Sequence, residues 1–117
     1  MADVLFISLI QLIQNPEQYA TKRVRVMGFA SIQFEGRALF VREEDYRNAI
    51  TKNGVWLSVE INDTNKLFHE RYVLVEGVFS AQEKGHLKMY SGSINEVNRL
   101  ELWSDPKATS PNSAIKK

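Results

Sequence analysis

The chain has 117 residues, 44% hydrophobic and 25% charged, with no cysteine and a net charge of +1. This composition indicates one globular domain and excludes disordered and fibrous classes, membrane spans, disulfides, thiolate metal sites and cysteine nucleophiles. The near-zero charge provides no general attraction to nucleic acid or anionic membrane. Asp3 stands where a signal peptide would carry basic residues, so we expect a cytoplasmic protein without membrane association.

The predicted elements begin with two short helical pieces. Ser8 and Gln11 match a capping box, and the apolar stripe that follows them ends at Asn15-Pro16. Asn15 can cap a further turn that has Pro16 in its first position. These pieces are expected to lead into a β domain.

Strand patterns then follow in the first half of the chain. Residues 22–34 form a long predicted strand, and Glu35-Gly36 is a hairpin turn into a shorter strand over residues 37–42. The core face of the long strand is predicted to carry Val24, Val26, Ala30, Ile32 and Phe34.

A third strand and a helix are predicted next. Alternation over residues 55–60 indicates a half-buried strand. Asp63 or Thr64 can cap a helix whose Leu67 and Phe68 pack inward.

Two further strands are predicted over residues 72–80 and 86–94, joined by a polar loop. Residues 104–117 offer little to bury. We therefore predict a single domain over residues 1–103 and a flexible C-terminal tail over 104–117.

Two of the strands, over residues 23–31 and 72–80, share Val, Val, Gly and Ser at the same four offsets. The interior glycines, Gly28 and Gly77, predict bulges or sharp coils where a strand belongs to both sides of a closed barrel. The element order is strand, strand, strand, helix, strand, strand. It predicts a mainly β fold, a five-stranded OB-like Greek-key barrel with an N-terminal helical lead-in and a helix between strands three and four.

Four segments together resemble a family of short, functionally uncharacterised bacterial proteins with an OB-like barrel. They are residues 8–13, 23–28, 72–77 and 85–87, and the resemblance covers residues 7–103. It implies accessory genes of integron-cassette type. The family has no established catalytic or binding residues to transfer.

One barrel face combines aromatic and basic side chains and is a candidate ligand surface. Single-stranded nucleic acids and oligosaccharides bind OB barrels on such a face, between the loops that here contain residues 35–37 and 83–85. The candidate binding residues are Phe29, Phe40, Trp56 and Tyr90, with Arg25, Arg42 and Lys88. We favour the alternative that the N-terminal helices cover these aromatic rings, because the helices' apolar stripe must pack on something.

The acidic run Glu43, Glu44 and Asp45 could in principle offer paired carboxylates for catalysis or a divalent cation. Adjacent residues rarely converge on one point, and Glu43 and Arg47 have the spacing of a surface ion pair. We therefore interpret this run as a solvated polar turn and predict no metal site.

The two histidines, His69 and His86, have no neighbouring nucleophile motif, and no cofactor motif is present. We therefore predict a non-catalytic binding or adaptor module that engages a protein partner or its own copy. The first alternative is a protein that binds single-stranded nucleic acid or oligosaccharide on the aromatic face. The second is a small hydrolase or metal-dependent enzyme, which would need a pocket with convergent titratable groups.

Overall fold

The computed structural model describes residues 3–103, which contain six strands and four short helices. The predicted tail over 104–117 lies outside the described residues. No helix within residues 3–103 is long and apolar enough to cross a membrane. The strands are β1 Leu5–Phe6, β2 Arg23–Ser31, β3 Ala38–Phe40, β4 Gly54–Leu57, β5 Arg71–Ser80 and β6 Ser93–Leu102. The helices are α1 Leu9–Gln14, α2 Pro16–Tyr19, α3 Glu43–Arg47 and α4 Asp63–Lys66, with 3-10 turns at Thr51–Asn53 and His86–Lys88.

Five of the strands close into a barrel. They are hydrogen-bonded in the order β2, β3, β4, β6, β5, and β5 pairs back along the length of β2. The β4–β6 pair is parallel, and the other barrel pairs are antiparallel. Together with α4 between the third and fourth barrel strands, this arrangement confirms the predicted OB-like barrel. The additional strand, β1, is parallel to the first part of β2 and was not predicted.

The interior glycines lie where two strands approach closely. A Cβ on Gly77 would stand 2.6 Å from the carbonyl oxygen of Asn95 and 2.7 Å from Cγ2 of Ile94. The β5–β6 register shifts between Glu76 and Val78, at this same position. A Cβ on Gly28 in β2 would stand equally close, 2.7 Å, to the carbonyl oxygen of Phe40. The prediction that these glycines mark bends of the barrel is therefore confirmed for the bulge at Gly77.

The last strand does not run over residues 86–94 as predicted. Gly85, Leu87 and Lys88 have φ angles of 71°, 55° and 57°, a left-handed conformation that no extended strand can contain. The segment folds into a 3-10 turn, and β6 begins only at Ser93. The apolar residues of 86–94 misled the prediction because such short runs do not distinguish a strand from a packed loop.

Two predictions of inward packing were also wrong. Phe34 is 79% exposed because β2 ends at Ser31, so the alternation no longer applies to Phe34. Asn62, whose side chain accepts a hydrogen bond from the Asn65 amide, caps α4. The cap is therefore not Asp63 or Thr64, as predicted. Leu67 is exposed, while Phe68 packs against the core.

The N-terminal helices belong to the barrel core. Ser8 caps α1 as predicted, and its Oγ accepts a hydrogen bond from the Gln11 amide at 3.1 Å. Leu9 and Leu12 of α1 and Tyr19 of α2 are buried in one cluster with the barrel's interior side chains. The fully buried members of this interior include Val24, Val26, Leu39, Val55, Leu57, Val73, Val75, Phe79 and Ile94.

Candidate functional site

The four predicted aromatic residues do come together on the outer face of β2, β3 and β4. Phe29, Phe40 and Tyr90 are only 3%, 3% and 4% exposed, and they form a second, smaller core with Ala38. The ring centroid of Tyr90 lies 6.1 Å from that of Phe40 and 5.6 Å from that of the partly buried Trp56. These rings are therefore packed on one another.

The cover over this aromatic cluster comes from α3 and from the segment before β6. The Tyr46 ring centroid lies 5.5 Å from that of Phe29 and 5.7 Å from that of Phe40, and Met89 packs on the same cluster. The expectation that the N-terminal helices cover these rings is wrong. Their buried side chains join the barrel interior instead, so another element had to shield the aromatic face.

The three predicted basic residues lie in three different surroundings. Arg25 forms an ion pair with Glu76, with an N–O distance of 3.1 Å. Arg42 lines a small cavity beside α1, and Lys88 is exposed on the 3-10 turn. The cation that does contact an aromatic ring of the predicted set is Arg37, whose Cζ lies 5.2 Å from the Trp56 ring centroid.

A polar cluster anchors α3 over the aromatic rings. The Tyr46 hydroxyl donates a 2.7 Å hydrogen bond to Oε2 of Glu70, and Nη1 of Arg47 donates to the same oxygen at 3.1 Å. Nδ1 of His69 accepts a hydrogen bond from the Ile32 amide at 3.0 Å, so the imidazole is occupied in holding the chain. The hydrogen bond from Tyr46, together with the charge of Arg47, lowers the pKa of Glu70. Burial and the same bond raise the pKa of Tyr46.

Replacing Tyr46 with phenylalanine is expected to raise the pKa of Glu70 towards its ordinary value, because the largest cause of the lowering is removed. Because folding lowers the pKa of Glu70, the ionised Glu70 carboxylate stabilises the fold fully at pH values above the ordinary carboxyl pKa. This stabilisation is lost as the pH falls through the lowered pKa. An NMR titration of the side-chain carboxyl carbons measures this change. Glu101, whose pKa Arg99 lowers, is the internal control and should not shift. An unchanged Glu70 titration would contradict the assignment.

An apolar groove opens where one edge of β2 changes partners. On that edge, β2 pairs with β1 at Val24 and Arg25 and with β3 at residues 29–31. Met27 lies in the interval between the two pairings. The interval leaves space between β1 and the end of β3.

This groove has a volume of about 520 Å³ and is mostly apolar. Phe6 and Ile10 on its walls are 61% and 51% exposed, high values for large apolar side chains. Trp103 is held beside it by a 3.0 Å hydrogen bond from its amide to the carbonyl oxygen of Tyr72. The groove is lined by Phe6, Ile7, Ser8, Leu9, Ile10, Met27, Val41 and Trp103.

A smaller cavity of about 140 Å³ adjoins the groove and shares its residues Ile10 and Val41. Asp45 lines this cavity and is only 4% exposed. Its Oδ1 accepts a 3.1 Å hydrogen bond from Asn53, whereas its Oδ2 has no hydrogen-bond partner among the described residues. The expectation of a wholly solvated acidic turn is therefore wrong for Asp45. The predicted Glu43–Arg47 ion pair is present, at 3.1 Å.

The groove residues were not singled out from the sequence because they come from four separate segments. The available signals were the apolar run around Phe6 and the isolated Trp103 beside the polar tail. No family model, curated protein or solved structure matches this chain. The resemblance to short bacterial OB-like proteins stays a prediction.

Proposed function

We propose that this protein is a non-catalytic binding module whose groove takes an apolar segment of a protein partner. The observation that carries this proposal is the open groove of about 520 Å³, in which Ser8 is the one polar residue among the described lining. Its size falls within the usual range of ligand sites, roughly 300–1,000 Å³. Because Phe6 and Ile10 are more than half exposed, an apolar occupant would remove both from water.

Backbone near the groove favours a polypeptide over a small molecule. Among residues 3–103, β1 is a terminal strand of the sheet and has β2 as its one strand neighbour. An unpaired strand edge offers N–H and C=O groups to an added extended segment. A concave groove suits a protruding partner side chain, whereas a second copy would need a broad self-complementary patch of about 800 Å² on each protomer. We therefore propose that a different polypeptide, not a second copy of this chain, occupies the groove.

The nucleic-acid or oligosaccharide alternative draws less support. Stacking on bases requires exposed ring faces, and Phe29, Phe40 and Tyr90 are covered by the chain itself. Arg25 is already paired with Glu76. The enzyme alternative would need convergent titratable groups, and the apolar groove lining provides no such set within the described residues.

The test is a titration of the full chain with a blocked peptide, Ser-Gly-Phe-norleucine-Gly-Ser, followed by amide NMR shifts. We expect weak saturable binding, with Kd of about 0.1–1 mM, that shifts Ile10, Met27 and Val41 together. Ile10→Gln should weaken this binding about fivefold, because an apolar contact is lost. Leu67→Gln is the matched control, since Leu67 is 70% exposed away from the groove. It should leave the affinity unchanged.

Three outcomes would contradict the proposal. The first is a titration in which the peptide shifts the amide signals of residues outside the groove. The second is equal weakening of peptide binding by Ile10→Gln and Leu67→Gln. The third comes from sedimentation of the chain alone. A dimer that Ile10→Gln converts to monomer would assign the groove to a second copy.

A further inference from the structure

We infer that the small cavity beside the groove receives a basic group, a lysine ammonium or an arginine guanidinium, from the same partner segment. This inference rests on the proposed function, because it names the chemistry of the residue next to the partner's apolar side chain. The feature that carries it is the Asp45 carboxylate, 4% exposed and with Oδ2 lacking a hydrogen-bond partner.

An unpartnered buried carboxylate oxygen is costly, because it has lost water without gaining a donor. Asn53 satisfies one oxygen of Asp45 through a 3.1 Å bond, and among the described side chains none donates to the other. A basic side chain supplies both a donor and the opposite charge, and charge-assisted hydrogen bonds are the stronger kind. The site therefore complements a cation better than a neutral polar group.

The geometry places this acid next to the apolar groove. Ile10 and Val41 form part of the lining of both spaces, so an occupant can reach from one into the other. The cavity's volume of about 140 Å³ accommodates a guanidinium or an ammonium with a few waters, since one water occupies about 30 Å³. The two spaces together fit an apolar residue adjacent to a basic one.

Among the described residues that line this cavity, Arg42 is the one cation. It lines the cavity with Asp45, is exposed, and makes no ion pair with Asp45 among residues 3–103. Its positive charge opposes an entering basic group. Removing that charge should therefore strengthen binding of a basic peptide, whereas removing the charge of Asp45 should weaken it.

The experiment compares matched peptides on the full chain. Blocked peptides carry phenylalanine followed by lysine directly or after one glycine, and each is paired with a version that has norleucine in place of lysine. We expect the better lysine peptide to bind about tenfold tighter than its norleucine partner. In Asp45→Asn the preference for the lysine peptide should disappear, while the affinity for the norleucine peptide is unchanged. In Arg42→Gln the preference for the lysine peptide should increase about threefold.

A stability measurement separates a site from a purely structural acid. Asp45→Asn should leave the melting temperature unchanged or raise it, because a buried charge with an unpartnered oxygen is replaced by a neutral amide. Equal binding of lysine and norleucine peptides in the groove would overturn this inference and leave the proposed function standing. If none of the peptides binds the unaltered chain, both this inference and the proposed function are overturned. A lowered melting temperature with unchanged preference would assign Asp45 to the fold alone.

Discussion

Replacing Leu12 with alanine is expected to lower the free energy of unfolding by about 3 kcal/mol, within the usual range of 2–5 kcal/mol for buried leucines. Leu12 is fully buried in the cluster that α1 shares with the barrel interior. The truncation removes apolar contacts and leaves a cavity that rigid barrel strands cannot collapse to fill. Urea denaturation followed by far-UV circular dichroism measures the loss.

The matched control is Ile10→Ala on the same helix. Ile10 is 51% exposed on the groove side of α1, so the same kind of truncation should cost less than about 1 kcal/mol. This contrast distinguishes the residue that holds the helix on the barrel from the one that faces the groove. Equal destabilisation by the two substitutions would contradict the assignment of α1 to the core.

Gly77→Ala is expected to destabilise the chain by roughly 1–3 kcal/mol through overcrowding. The added Cβ would stand 2.6 Å from the Asn95 carbonyl oxygen, which is backbone and cannot rotate away. The bulge between β5 and β6 would have to open to accommodate it. The same urea denaturation detects the change.

Gly36→Ala provides the control for this substitution. A Cβ on Gly36 meets nothing closer than 3.6 Å, at the Ser31 hydroxyl. The stability should stay within about 0.5 kcal/mol or rise slightly, because alanine reduces the freedom of the unfolded chain. If Gly77→Ala were as mild as Gly36→Ala, the close approach of β5 and β6 would be refuted.

The barrel was predictable because its signals are local. Alternation predicted β2, the strand pattern over residues 72–80 predicted β5, and the interior glycines indicated the bend at Gly77. The end of β2 and the start of β6 were not predictable in this way. Phe34 continues the apolar alternation past the last pairing, and the left-handed backbone at Leu87 interrupts an apolar segment that also carries the buried Tyr90. Local alternation reports neither feature.

The candidate site was less accessible to sequence reasoning. The aromatic residues were correctly grouped on one face, but their cover was not, because Tyr46 lies within a polar run that reads as solvated. The groove depends on the interval between two strand pairings of β2, which no single segment encodes. The burial of Asp45 likewise depends on where α3 packs, not on the acidic run itself.

The chain's two tryptophans provide the most direct test that the groove binds an apolar peptide segment, because Trp103 lines the groove and Trp56 lies on the aromatic face. Trp56→Phe leaves Trp103 as the sole reporter, and Trp103→Phe leaves Trp56. Titration with the phenylalanine-norleucine peptide should shift the Trp103 emission to shorter wavelength with saturation, because the occupant removes water from its ring. The Trp56 emission should stay constant. A saturable change confined to Trp56 would contradict the groove and return the binding surface to the aromatic face.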